Sequence, residues 1–157
     1  AALVGRVLLP SALRFDQVSV VPHDGMRYRE SARLDAEGKF RTGALKPGLY
    51  RFEVFSQGRV VASVADVPLV EGEESRADAF DPLDLREALR PWKLRVLDGA
   101  GEPLAGHRCF AADGRVERSM AYAQSDGTGR LEFWTARDDD ALTLVAAGFL
   151  AQEVLWK

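Results

Sequence analysis

Few side chains in this sequence have wide chemical reach: two histidines and one cysteine in 157 residues. His107 and Cys109 stand two apart on a strand-like run, "LAGHRCF" (104–110), so they share a face. A Cys–His nucleophilic pair needs hydrogen-bond contact and a third group that orients the base. Side chains at i and i+2 rarely align that way, and a free cysteine is commonly a small buried hydrophobe. His23 opens "HDG" (23–25), whose residue types favour a turn. The G-x-S-x-G, H-E-x-x-H and G-x-x-x-x-G-K-[ST] patterns are missing. "RDDDA" (137–141) sets three carboxylates side by side. Calcium takes about six to eight oxygens from a shaped loop, and adjacent Asp residues at a hairpin tip are read as a solvated turn. A Lys–Asp crosslink is also not expected, because Lys93 alternates with Leu94 and Val96 and so points outward. No catalytic residue, metal or cofactor is expected.

Two binding features remain. Arg27, Arg29 and Arg33 alternate along "MRYRESARL" (26–34), and Arg41 follows across a turn. Balanced by Glu53 or by the acidic "EGEES" (71–75), they form a solvated face. Unbalanced, they form a docking site for an acidic polymer or partner, since like charges across strands are unfavourable. The second feature is Trp134. In "RLEFW" (130–134), Leu131 and Phe133 share one face while Glu132 and Trp134 share the other. Trp134 then either stacks on a sugar ring or is buried against the first half of the chain.

The elements that must position these residues read as strands. "LVGRVLL" (3–9), "DQVSVVP" (16–22), "MRYRESARL" (26–34), "YRFEVF" (50–55) and "RVVASV" (59–64) are short and bounded by Gly, Pro or Asp. "WKLRVLD" (92–98), "LAGHRCF" (104–110), "RVERSMAYA" (115–123), "RLEFW" (130–134), "ALTLVAA" (141–147) and "LAQEVLW" (150–156) repeat the plan. Pro47-Gly48 suits a type II turn, and "SQGR" (56–59) reads as a hairpin. "LDAEGKF" (34–40) and "SDGTGRL" (125–131) both read Asp-x-x-Gly-basic-apolar. This echo divides the chain into two tandem all-β domains, 1–86 and 90–157. They meet at the junction "DPLDLREALRP" (81–91), which is either a helical turn opened by Asp81-Pro82 or an extended last strand.

Composition narrows the function classes. The net charge is −3, with 12 basic and 14 acidic residues in 1–88 and 9 and 10 in 89–157. No basic field exists to hold a phosphate backbone, so nucleic acid is not an expected partner. With Cys109 alone, no intrachain disulfide forms. No run approaches the roughly 18 apolar residues of a membrane helix, and no signal peptide is visible. The strand-like runs at both ends suggest a mature form or a piece of a longer protein. The chain has no Asn and no Ile, and 17 Arg against 4 Lys, a bias that fits a high-GC bacterial genome.

The run Asp35-x-x-Gly38-Lys39-Phe40, then Leu45-x-Pro47-Gly48-x-Tyr50-x-Phe52-x-Val54, resembles the carboxypeptidase regulatory-like, transthyretin-like modules of bacteria. "VLDGAGEPLAGHRCFAADG" (96–114) and "SDGTGRLEF" (125–133) are similar to the same family's opening strands. The second copy departs from the pattern at "TARDDDALTL" (135–144), which has no Pro-Gly-x-Tyr. The resemblance implies two tandem Ig-like antiparallel β-sandwiches with Tyr50, Phe52 and Val54 inside. Modules of this family are usually spacers or adhesive accessories of larger exported proteins, not catalysts. A purine-pathway hydrolase of the same fold carries a C-terminal tetrapeptide that the ending "VLWK" does not match. The expectation is therefore a non-catalytic structural or protein-interaction segment of an exported bacterial protein: periplasmic, surface-bound or secreted. Its partners are another protein or flanking domains of the same chain. A carbohydrate-binding accessory module, with a glycan as partner, is the alternative.

Overall fold

The structure is a computed structural model and describes residues 1–112, 120–138, 141–146 and 152–155. Strands dominate the described residues, with only two short 3₁₀ turns among them, which makes it an all-β sandwich protein. It divides into two compact units, Ala1–Ser56 with Val60–Leu89, and Gln57–Arg59 with Arg90–Lys157.

The first unit holds β1 (Ala2–Leu8), β2 (Val18–His23), β3 (Ala32–Arg33), β4 (Lys39–Arg41), β5 (Gly48–Ser56), β6 (Arg59–Leu69) from Val60 onward, β7 (Glu74–Arg76) and β8 (Leu83–Asp84). One sheet has the order β3-β2-β5-β6; the other is β4-β1-β7, with β8 also on β1. Between them lies the core. Along β5 the alternation works as the sequence suggests: Tyr50, Phe52 and Val54 are buried. Phe52 and Phe80 meet edge-on at 5.9 Å, and Phe80 meets Phe40 at 5.3 Å, so one aromatic chain crosses the core. Phe80 comes from a short 3₁₀ turn, Asp78–Phe80, that sequence reading missed.

Three further expectations are corrected. Pro47-Gly48 makes no type II turn. Pro47 is a bend, Gly48 already begins β5, and the Tyr50 hydroxyl closes the corner by donating to the Lys46 carbonyl at 3.1 Å. The strand expected over 26–34 shrinks to Ala32–Arg33, because the Asp24 turn interrupts it. Pairing is not purely antiparallel: β1 runs parallel to β7 and β8. The chain reaches that edge by crossing from the other sheet after β6, and only a crossover can deliver a parallel neighbour. In the junction, Leu83–Asp84 is extended and Leu85 is buried.

The second unit holds β9 (Leu89–Arg95), β10 (Arg108–Ala112), β11 (Met120–Gln124), β12 (Arg130–Ala136), β13 (Ala141–Ala146) and β14 (Gln152–Leu155). Its sheets are β11-β10-β13-β14 and β12-β9. Trp92, Cys109, Ala111, Ala123, Leu131 and Phe133 form the core. The Trp92 indole N–H donates to Thr135 Oγ1 at 2.8 Å, which satisfies both buried groups.

The echoed Asp-x-x-Gly segments have the same bonding. In each unit an aspartate side chain accepts two backbone N–H groups. Asp35 Oδ1 takes those of Glu37 and Lys39, both at 2.9 Å. Asp126 Oδ1 takes those of Thr128 and Arg130, at 2.8 and 3.0 Å. The glycines have φ of +78° and +76°. Their carbonyls accept the Val7 and Val96 N–H groups, both at 2.8 Å. A Cβ on Gly38 would stand 2.2 Å from the Val7 carbonyl oxygen, and one on Gly129 would stand 2.6 Å from that of Val96. Glycine is required here twice over, by the left-handed backbone and by close approach. Asp98 builds a third such turn, accepting from Ala100 and Glu102 at 2.8 and 2.9 Å, with Gly101 at φ +87°.

Three outcomes follow for stability. Gly38→Ala and Gly129→Ala should each destabilise by at least about 1 kcal/mol in urea unfolding, whereas Gly127→Ala, whose Cβ meets nothing, should change little. Phe52→Ala should cost about 3–5 kcal/mol. The carboxyls of Asp35 and Asp126 are held below the ordinary range. Asp35 owes this first to the Lys39 N–H, and Asp126 to the Thr128 hydroxyl and N–H. An unfolded chain takes these protons near pH 4, so the stability they contribute is complete above about pH 4 and is lost as the pH falls below it. Asp35→Asn and Asp126→Asn keep the acceptor oxygen without the titration. Their thermal midpoints should fall less on acidification than that of the wild type.

Candidate functional site

The four arginines singled out from the sequence do not form one face. Residues 24–31 leave β2 as a loop that begins on Asp24, whose Oδ1 accepts the Met26 and Arg27 N–H groups at 3.0 and 2.9 Å. The Arg27 and Met26 amides, and then the Arg29 guanidinium, hold the Asp24 carboxyl down to about 2. Arg29 is committed to Asp24 by an ion pair. Arg27 is exposed. Tyr28 lies edge-on to His23 at 4.8 Å and to Phe55 at 6.0 Å. Its hydroxyl donates to Glu53 Oε2 at 2.8 Å. Glu53 is only 9% exposed and is the acceptor for this tyrosine, not a solvated counter-ion for the arginines.

Arg33 and Arg41 do come together. With Lys39 they line a shallow cleft of about 410 Å³ beside β4, over Leu34 and Phe40. On the other side of β4 a second cleft of about 360 Å³ is lined by Arg6, Lys39, Arg76, Glu74 and Asp81 above Phe40 and Phe80. It opens where β7 has left β1 and β8 has not yet joined it, so Gly5 and Arg6 lack a partner strand on that edge. Arg41 Nε donates to Glu74 Oε2 at 2.9 Å, the balance by the 71–75 acidic run that the sequence allowed. Lys39 pairs with Glu37 at 2.5 Å. Arg6 and Arg76, the cations that extend this cluster, carry no sequence signal, since only the β1–β7 pairing brings them to β4. Neither cleft is lined by Ser, Cys, His or Tyr. Such an arrangement can exchange its carboxylate partners for those of an acidic ligand, but it presents no nucleophile.

A third hollow, about 250 Å³, is lined by His23, Leu49, Tyr50, Arg51, Ala65 and Asp66. His23 Nδ1 accepts the Gly25 N–H at 3.2 Å, so the ring serves the turn. In the second unit, His107 precedes β10 and its backbone N–H is held by Ser125 Oγ at 2.9 Å. Cys109 is 2% exposed in the core, and burial pushes its thiol up. Of the 137–141 carboxylates Asp138 is exposed; Asp139 and Asp140 lie outside the described residues. Among the described residues no group of three or more His, Cys, Asp or Glu is placed to hold a metal ion. Among the described residues no helix is long and apolar enough to cross a membrane.

Trp134 presents no stacking face. It is 4% exposed, and its indole N–H donates to Glu132 Oε1 at 2.7 Å. Phe133, Trp134 and Thr135 are all buried in succession, so both faces of β12 are covered and the alternation that suggested an exposed tryptophan fails. Within the same unit Gln57 grips β12: its Nε2 donates to the Glu132 carbonyl at 2.9 Å, and its Oε1 accepts the Trp134 N–H at 3.3 Å.

No family model matches the chain, and no curated protein matches its sequence. Three solved structures are similar to the chain at low identity. The Bacillus anthracis TIE protein has a TM-score of 0.38 and 13% identity over 99% of this chain. The Streptococcal ancillary pilin has a TM-score of 0.40 and 11% identity over the whole chain. A DUF3823 family protein from Parabacteroides merdae has a TM-score of 0.36 and 16% identity over the whole chain. The chain spans 31%, 59% and 98% of these three, respectively.

Proposed function

We propose that this chain is a non-catalytic structural and protein-interaction segment, two tandem carboxypeptidase regulatory-like modules acting as a spacer or adhesive accessory in a larger exported bacterial protein. One observation carries this reading: the groups that could do chemistry are used to hold the fold. Asp24, Asp35, Asp98 and Asp126 each accept backbone N–H groups at turns. Cys109 is core. Perturbed titratable groups gathered in a cleft would favour an enzyme. Here the depressed carboxyls are dispersed over exposed turns. The tandem-module reading is supported by the matched turns at Asp35 and Asp126. The partner surface proposed is the cation cluster around β4, with Arg33 and Arg41 from the original set and Arg27 at its distance on the Asp24 loop. The carbohydrate-binding alternative loses its main support with the burial of Trp134.

Two measurements test this. The Cys109 thiol should be silent toward a thiol reagent in the folded protein and react fully in denaturant; a fast-reacting thiol in the folded state would contradict the reading. Generic ester, amide and phosphate substrates should show no turnover above background. Turnover that disappears in Cys109→Ala or His107→Ala would replace the structural reading with an enzymatic one.

A further inference from the structure

Strand β1 is covered along one edge by β4 and along the other by two short strands with a gap between them. Leu3 and Val7 direct their backbone groups to the β4 side: the Leu3 carbonyl accepts the Thr42 N–H at 2.9 Å, and the Val7 N–H goes to the Gly38 carbonyl. By alternation Ala2, Val4, Arg6 and Leu8 direct theirs to the opposite edge. There the Ala2 N–H donates to the Glu73 carbonyl at 3.2 Å, and the Leu8 carbonyl accepts the Leu85 N–H at 2.9 Å. Strand β7 pairs as far as Val4↔Arg76, and β8 starts at Val7↔Leu83, a register that occupies the Arg6 carbonyl. The Arg6 N–H is left over, and no described residue accepts it. A backbone donor inside a sheet is normally paired, so this one must find its acceptor outside the chain.

The donor faces the cleft of about 360 Å³ that Ala77, Phe80 and Asp81 help to line. Its floor is apolar. A Cβ on Gly5 would stand 2.6 Å from Phe80 Cβ and 2.9 Å from Phe40 Cε1, so the strand lies directly on these two rings. Its rim is charged, and most of the charges are committed. Arg41 holds Glu74, and Lys39 holds Glu37. Arg6 Nε donates to the Glu37 carbonyl at 3.0 Å. Arg76 is exposed and makes no ion pair among the described residues, and the same is true of Asp81.

We propose that this cleft binds the C-terminal residue of a partner polypeptide. The free carboxylate accepts the Arg6 N–H with one oxygen and the Arg76 guanidinium with the other. An apolar last side chain covers Phe40 and Phe80, and Asp81 accepts the N–H of that last residue. A chain end is the occupant that the gap admits. Pairing resumes at once on both sides, with β7 and with β8, so a strand cannot run through and extend the ladder. Capture of a terminal carboxylate by backbone N–H groups is an established mode of peptide recognition. A volume of about 360 Å³ is at the small end of ligand pockets, which run from roughly 300 to 1,000 Å³, and suits one residue rather than a segment. The inference rests on the reading of this chain as a protein-interaction segment whose partner surface lies beside β4.

Amide NMR titration of the 157-residue chain with acetyl-Gly-Gly-Phe, as the free acid and as its C-terminal amide, tests it. The free acid should shift the Arg6 amide saturably and bind roughly tenfold more tightly than the amide. Arg76→Gln should weaken the free acid by a similar factor. Asp81→Ala should weaken the tripeptide but strengthen phenylpropionate, which has the same ring and carboxylate and no N–H. Both side chains are exposed, and thermal midpoints report whether each variant stays folded. Equal affinity of acid and amide overturns the proposal. Phenylpropionate binding as tightly as the tripeptide overturns the peptide occupant. Acetyl-tetraglutamate amide separates this inference from the reading beneath it. If it shifts Arg33 and Arg41 while the tripeptide shifts nothing, the C-terminal site falls and the partner surface stands. If neither shifts any amide, both fall.

Discussion

The structure depends on a carbonyl–amide contact made once in each unit. The glycine of an Asp-x-x-Gly turn is pressed against the first strand, and its carbonyl accepts the N–H of Val7 or Val96. The contact works only because no Cβ intervenes: the space between Gly38 and the Val7 carbonyl is smaller than any side chain. It fixes where β4 and β12 begin relative to β1 and β9. The aspartate that opens the turn uses its charge on backbone N–H groups that would otherwise be unpaired. In the first unit this seat carries Phe40 into contact with Phe80 and so into the aromatic chain of the core.

Such a plan places its polar chemistry in turns and its reactive sulfur in the interior. What it leaves exposed beside β4 is charge. In the clefts beside β4, Arg41 and Lys39 are already matched by Glu74 and Glu37, so an acidic ligand would bind those two by exchange, with little net gain.

Much of this was legible in the sequence, and the misses have identifiable causes. The Asp35 and Asp126 turns could be read because Asp and Gly hold fixed places in them, and β5 could be read because its apolar residues alternate. Asp98 has the same Asp-x-x-Gly spacing, in a Gly-rich run between two strand-like segments. The arginine alternation over 26–34 looked like a strand face. Instead the Asp24 turn redirects the chain and Tyr28 docks on His23 and Phe55. Trp134 was misplaced because alternation indicates an exposed face only when one side of the sheet meets solvent. The gathering of Arg6 and Arg76 beside β4, and the parallel pairing that brings them there, depend on residues about 70 positions apart (Ala2↔Glu74, Val4↔Arg76). No local pattern reports such a pairing.

The central claim is that each unit is locked by its glycine turn seated on its first strand. Native-state hydrogen exchange at the Val7 and Val96 amides tests it most directly. The account predicts that both exchange only through global opening of their unit, among the slowest amides in it. Exchange of either as fast as that of the exposed Gly72 turn would contradict it.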